Sequence, residues 1–234
     1  IPNARKVHSE IIPRLGGLAF APTVMMILGL ITASDELLGF HVLDRNLDSA
    51  AVTLSMGLSA GFMLYALGAM DDLVGISYRG KFVIQVLVAA MMVSSGICLD
   101  SLHGLFGVYG IPWFVGAPLS VLVIVYMINA MNLIDGIDGL CSGLSMVASV
   151  TFLGFFIFMQ AWMVALITAT VVGVLIPFFY LNLWGTFVKK RRIFMGDTGS
   201  LSMGLLLAIM AIKLSASPEP TERQVTINIV QAFS

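Results

Sequence analysis

Seven predominantly apolar runs of 15 to 22 residues leave a chain of 234 residues few choices of fold. They lie near Leu15 to Ala33, Ser49 to Met70, Phe82 to Leu99, Trp113 to Ile134, Ser142 to Phe158, Trp162 to Leu183 and Leu201 to Ser215. Segments of that length match the hydrocarbon thickness of a bilayer when helical, and in lipid the helix satisfies its own backbone. With 59% hydrophobic and 11% charged residues, the chain is far more apolar than a soluble domain. We therefore expect an all-α, polytopic membrane helical bundle of about seven spans, forming a single integral-membrane domain over residues 1–234. Nothing in the near-neutral charge of -1 suggests a nucleic-acid partner. Cys98 and Cys141 sit in or beside apolar segments without metal-type spacing and read as packing residues.

Threading the runs alternately through a membrane sorts the loops onto two sides, and the basic residues test that threading. Arg5, Lys6, Arg14, Arg79, Lys81, Lys189, Lys190, Arg191 and Arg192 fall on one side, against Arg45, Lys213 and Arg223 on the other. By the positive-inside rule the first side is cytoplasmic. His41 and His103 fall on the opposite side and read as solvated loop residues, with Tyr109 and Trp113 as interfacial anchors.

Four polar islands come out on the cytoplasmic side. The first runs from Arg5 and Lys6 to Ile12-Pro13-Arg14-Leu15-Gly16-Gly17. The second is Asp71-Asp72, followed by Lys81. The third is Asn129-Ala130-Met131-Asn132-Leu133-Ile134-Asp135-Gly136-Ile137-Asp138-Gly139, and the fourth is Phe194-Met195-Gly196-Asp197-Thr198-Gly199-Ser200. Adjacent carboxylates repel, and both ionise comfortably only beside a cation. Asp71, Asp72, Asp135, Asp138, Asp197 and Asn132 offer hard oxygen donors without cysteine or histidine, which suits Mg²⁺ or Mn²⁺ better than zinc. Lys6, Lys81 and a Gly-Asp-Thr-Gly-Ser turn at a helix start suit phosphate oxygens. Metal, carboxylates and lysines together point to phosphoryl transfer. The same Asp-Thr-Gly-Ser letters occur in aspartic proteases, but a β-rich lobe is absent. A cation-coupled transporter is the competing class; it would need carboxylates near the midplane, whereas these sit at span ends.

The four islands, in this order and at these separations, resemble the polyprenyl-phosphate N-acetylhexosaminyl-1-phosphate transferases. The resemblance covers nearly the whole chain. It implies transfer of a sugar 1-phosphate from a UDP-sugar to a membrane polyprenyl phosphate with release of UMP and a Mg²⁺ requirement. It also implies a bacterial inner-membrane location with the site on the cytoplasmic face, and it admits a homodimer. Carried over residue by residue, it makes Asp197 a Mg²⁺ ligand with Asn132 as a second metal contact. Asp138 matches the uracil-recognising position, with Asp135 near the nucleotide. Asp71 and Asp72 match the paired catalytic aspartates assigned to the lipid phosphate and the metal region, and Lys81 and Lys6 match basic positions near phosphates.

The Ile-Pro-Arg-Leu-Gly-Gly loop is similar to enzymes that start envelope polysaccharides from UDP-GlcNAc. The peptidoglycan branch, which uses UDP-MurNAc-pentapeptide, usually carries a Thr-Pro-Thr-Met-Gly-Gly type of loop there. The family's first span, later spans and histidine-rich loop have no counterpart here, so we expect a piece of a longer protein.

Overall fold

A computed structural model describes residues 22–24, 26, 47–102, 104, 109–185 and 193–216. Most of the expected first span, Lys6, both loop histidines and the basic run Lys189 to Arg192 lie outside the described residues. Among those described, six helices follow one another: α1 (Leu47–Leu73), α2 (Tyr78–Ser94), α3 (Trp113–Ile134), α4 (Leu140–Phe158), α5 (Trp162–Trp184) and α6 (Gly196–Ser215). Four of them, α3 to α6, are long and apolar enough to cross a membrane. The described residues form an all-helical bundle with several helices able to cross a membrane, as the apolar runs require.

The described runs and helices coincide to within four residues except at two ends. The expected third span reached Leu99, but α2 stops at Ser94. There Gly96 takes φ +93°, its N–H bonds to Val93 O at 3.1 Å, and Ile97 N–H bonds to Met92 O at 3.0 Å. That is a Schellman stop, which requires the left-handed conformation glycine adopts without strain. The apolar residues beyond it are still buried against the bundle, Ile97 among them, but not as helix. The other difference is the Gly196-Asp197-Thr198-Gly199-Ser200 stretch, which forms the first turn of α6 itself.

α6 is the axis of the bundle. Two thirds of its span (67%) is buried inside the protein, against 28% to 33% for α3, α4 and α5. It packs against α1, α3 and α4. One apolar cluster joins Leu64 and Leu67 of α1, Val88 and Met92 of α2, Ile124 and Ile128 of α3 and Leu201 and Leu205 of α6. A second joins Met131, Cys141, Phe156, Val171 and Leu175 to Met195, Met203 and Leu207. Large residues on the outward faces, such as Phe62, Leu122, Tyr126, Val147 and Phe158, are exposed, as a lipid-facing surface allows.

Small residues set how closely α6 is held. A Cβ added at Gly68 of α1 would lie 2.5 Å from Thr198 N and 2.7 Å from the Asp197 carbonyl carbon, both backbone atoms. A rigid helix start cannot yield there. Gly68→Ala is therefore expected to cost about 1–3 kcal/mol by overpacking, read as a lowered melting temperature in detergent. Gly154→Ala meets nothing within 4 Å and should leave the melting temperature unchanged or slightly raised.

Candidate active site

The C-terminal end of α1, the N-terminal end of α2, the C-terminal end of α3 and the N-terminal end of α6 meet at one end of the bundle, and each brings one of the expected residues. Asp71 and Asp72 close α1. Leu73 and Val74 are exposed, the chain turns, and Ser77 caps α2 by accepting from Gly80 N–H at 3.3 Å. This puts Lys81 in the first turn of α2, where its ammonium donates to Asp71 Oδ2 at 2.5 Å and also to Asp197 Oδ2. Asn132, in the last turn of α3, donates to Ser200 Oγ at 3.0 Å, and its amide lies beside the Asp197 side chain. Asp71, Lys81, Asp197 and Asn132 thus form one connected cluster from four helices.

Asp71 is doubly engaged, because its Oδ1 accepts the Ile76 N–H at 2.6 Å while Oδ2 holds Lys81. Burial pushes its carboxyl up, but the hydrogen-bonding contacts it makes with Asp197, Lys81 and Ile76 outweigh that, so it is held below its ordinary value. Lys81 responds in the matching direction: burial pulls it down, and its bonds to Asp197 and Asp71 more than restore it, leaving it raised. Both groups are therefore charged at neutral pH.

Asp72, adjacent in sequence, faces elsewhere. Its Oδ1 accepts Asp197 N–H at 3.1 Å, and its Oδ2 accepts Thr198 N–H at 3.0 Å and the Thr198 hydroxyl at 2.8 Å. It sits on the backbone of α6 and outside the Lys81 cluster.

Asp135 and Asp138 lie in the loop between α3 and α4, both half-buried. Asp135 borders the Cys141 thiol, whose sulfur is 3.8 Å from Met195 Sδ, immediately before Gly196. The loop is fastened to the entry of α6 by a residue that the sequence reading missed, Asn182 near the end of α5. Its Oδ1 accepts Gly139 N–H at 2.9 Å and the Ser142 hydroxyl at 3.1 Å, and its Nδ2 donates to Ile193 O at 2.7 Å. An asparagine inside Tyr180-Leu181-Asn182-Leu183-Trp184 was the available signal, since a polar side chain in an apolar run needs partners. The same holds one turn below the cluster, where Asn129 donates to buried Gln85 Oε1 at 2.6 Å, joining α3 to α2.

A divalent cation fits this donor set in a particular way. Among the described residues no group of three histidine, cysteine or acidic side chains could hold a metal alone. What converges is Asp197 with Asn132, and Asp71 beside them, all hard oxygen donors at one end of the bundle. Such a pair suits an ion that keeps several waters and completes its shell with phosphate oxygens, which is the habit of Mg²⁺.

The sequence profile of glycosyl transferase family 4 matches residues 54–215, from α1 to the end of α6. The chain belongs to this family. It is 33% identical over 213 residues to a Bacillus subtilis protein named as a probable undecaprenyl-phosphate N-acetylglucosaminyl 1-phosphate transferase, covering 90% of this chain and 54% of that protein. It is 33% identical over 215 residues to the undecaprenyl-phosphate alpha-N-acetylglucosaminyl 1-phosphate transferase of Salmonella typhi, covering 87% and 51%. A phospho-N-acetylmuramoyl-pentapeptide-transferase of Chlamydia felis is 32% identical over 176 residues, covering 64% and 49%. The chain spans about half the length of the curated relatives it matches. The family profile takes in the whole Lys81 cluster, the Asp72 contact and Asn182.

Replacing Asn182 removes three partners at once. Asn182→Leu, which keeps the branching at Cγ, strands the Gly139 N–H, the Ser142 hydroxyl and the Ile193 carbonyl, each unsatisfied group costing about 1–3 kcal/mol. A large fall in detergent melting temperature is expected, whereas Thr151→Val, which removes an exposed bond to Val147 O, should leave it within about 0.5 kcal/mol.

Proposed function

We propose that this chain carries the catalytic centre for transfer of a sugar 1-phosphate, GlcNAc-1-phosphate in the first instance, from a UDP-sugar to undecaprenyl or another polyprenyl phosphate. The observation that carries the reading is the Asp71–Lys81–Asp197–Asn132 cluster at one end of a membrane bundle. There a lipid phosphate arriving sideways and a nucleotide arriving from water meet. The names of the relatives supply the substrate class, and the expected threading puts this end on the cytoplasmic face of a bacterial inner membrane.

In the reaction an oxygen of the lipid phosphate attacks the β-phosphorus of the UDP-sugar. A new P–O bond joins the two, the bond from that phosphorus to the bridging oxygen breaks, and UMP leaves with the electron pair. Asp197, with Asn132, would hold the Mg²⁺, which supplies positive charge against the diphosphate and the leaving UMP. Lys81 is placed to turn its ammonium toward a phosphate oxygen, as Lys6 is expected to do. Asp135 and Asp138 are assigned to the nucleotide, with Asp138 toward the uracil. Asp71 orients the acceptor and the lysine. It is a poor general base, since efficient bases have pKa values near the working pH and Asp71 is held low. The acceptor hardly needs one, because a phosphate monoester with a second pKa of about 6 is mostly dianionic at neutral pH.

Asp197→Ala is expected to abolish UMP release from the full-length protein while leaving its elution as a folded species unchanged; normal Mg²⁺-dependent turnover in that variant would refute the assignment. Running the assay with UDP-GlcNAc and UDP-MurNAc-pentapeptide in parallel separates the two branches of the family. Ion flux in proteoliposomes without any UDP-sugar would favour the transporter class instead. Asp71→Asn should be slow at both neutral and alkaline pH. Recovery of most activity at pH about 9, where the acceptor is fully ionised, would mean that Asp71 acts as a base after all.

A further inference from the structure

The second aspartate of the Asp71-Asp72 pair sits at the wrong end of its own helix. A carboxylate in the last turn of α1 faces the negative end of that helix's dipole, so its placement calls for a partner elsewhere. The partner is α6. A helix starts with N–H groups that no residue of the helix can accept, and the N-cap position of α6 is Met195, which supplies no side-chain cap. Asp72 provides it from another helix, taking the N–H groups of Asp197 and Thr198 and the Thr198 hydroxyl. Thr198 is fully buried, so water cannot substitute. Gly68, one turn earlier on the same face of α1, is what lets the α6 backbone come within reach.

We propose that Asp72 is a positioning residue: by capping α6 from α1 it fixes the backbone of Asp197, and so sets the Asp197 carboxylate against Lys81, without itself touching substrate or metal. The pair then divides its work. Asp71 is in the charged cluster, and Asp72 holds the helix that delivers the opposite carboxylate. The proposal rests on the function assigned above for its kinetic consequences, though the cap itself does not.

Three variants of the full-length protein separate a cap from a charge. Asp72→Asn keeps the shape and one acceptor but loses the charge; Asp72→Glu keeps the charge but moves it by a methylene; Thr198→Val removes the hydroxyl donor alone. If Asp72 positions Asp197, Asp72→Asn lowers kcat per folded molecule about ten- to hundred-fold, the range for losing a bond to a charged group. The KM values for UDP-sugar and lipid phosphate then stay within about two-fold. Asp72→Glu is worse than Asp72→Asn, and Thr198→Val shifts kcat in the same direction with the same unchanged KM values. Hydrogen exchange, read on the peptide covering residues 194–202 without substrate, accelerates in all three.

Better activity in Asp72→Glu than in Asp72→Asn would overturn the proposal, as would a raised lipid-phosphate KM in Asp72→Asn. Unchanged exchange over 194–202 would overturn it as well. If the wild-type protein releases no UMP from either donor, the assigned function falls, and the exchange measurement still decides the cap.

Discussion

Two carboxylates from different helices, Asp71 and Asp197, share the ammonium of Lys81, and the arrangement of the bundle end follows from that. Carboxylates brought this close repel unless a cation lies between them, and partial burial strengthens both the repulsion and its relief. Lys81 can lie there because α2 begins a short turn after α1 ends, which points its first turn back across the mouth of the bundle. The consequence is a charged site built from helix ends and held by helix packing. Its geometry is therefore inherited from the apolar core beneath it, where Leu64, Val88, Ile124 and Leu201 meet.

Below the charged layer lies a layer of uncharged polar contacts that reads as its support. Gln85 sits one turn after Lys81 on α2 and Asn129 one turn before Asn132 on α3, and the two bond to each other at 2.6 Å. Asn182 does the corresponding work between α5, the α3–α4 loop and the entry of α6. In an apolar surrounding such bonds have no competition from water, so each one fixes the helix register on which the charged residues depend.

Most of the architecture could be read from the sequence because apolar run length is a strong signal, and α3 to α5 fall where the runs do, with α6 starting more than a turn early. The site was legible for the same reason in reverse: Asp71, Lys81, Asn132 and Asp197 are polar residues at the ends of apolar runs on one side of the threading. What could not be read was the direction of neighbouring side chains. Asp71 and Asp72 are indistinguishable as letters, and only helix phase against α6 assigns one to Lys81 and the other to a backbone. The early stop of α2 was available in Ser94-Ser95-Gly96 but was overruled by the apolar residues that follow. Asn182 was passed over because a single amide in a long span carries little weight until its three partners are seen.

The unequal burial of the helices has a mechanical meaning. A membrane protein adjusts to a thicker or thinner bilayer by tilting or shifting the helices that lipid touches, at a cost of fractions of a kcal/mol per ångström. The described residues bury only 28% to 33% of the spans of α3, α4 and α5, while α6 is wrapped by its neighbours over two thirds of its length. Changes in lipid thickness therefore act on the outer staves first and reach Asp197 through their packing. The depth of the charged site is thereby cushioned against the composition of the membrane, even though one of its proposed substrates is itself a lipid.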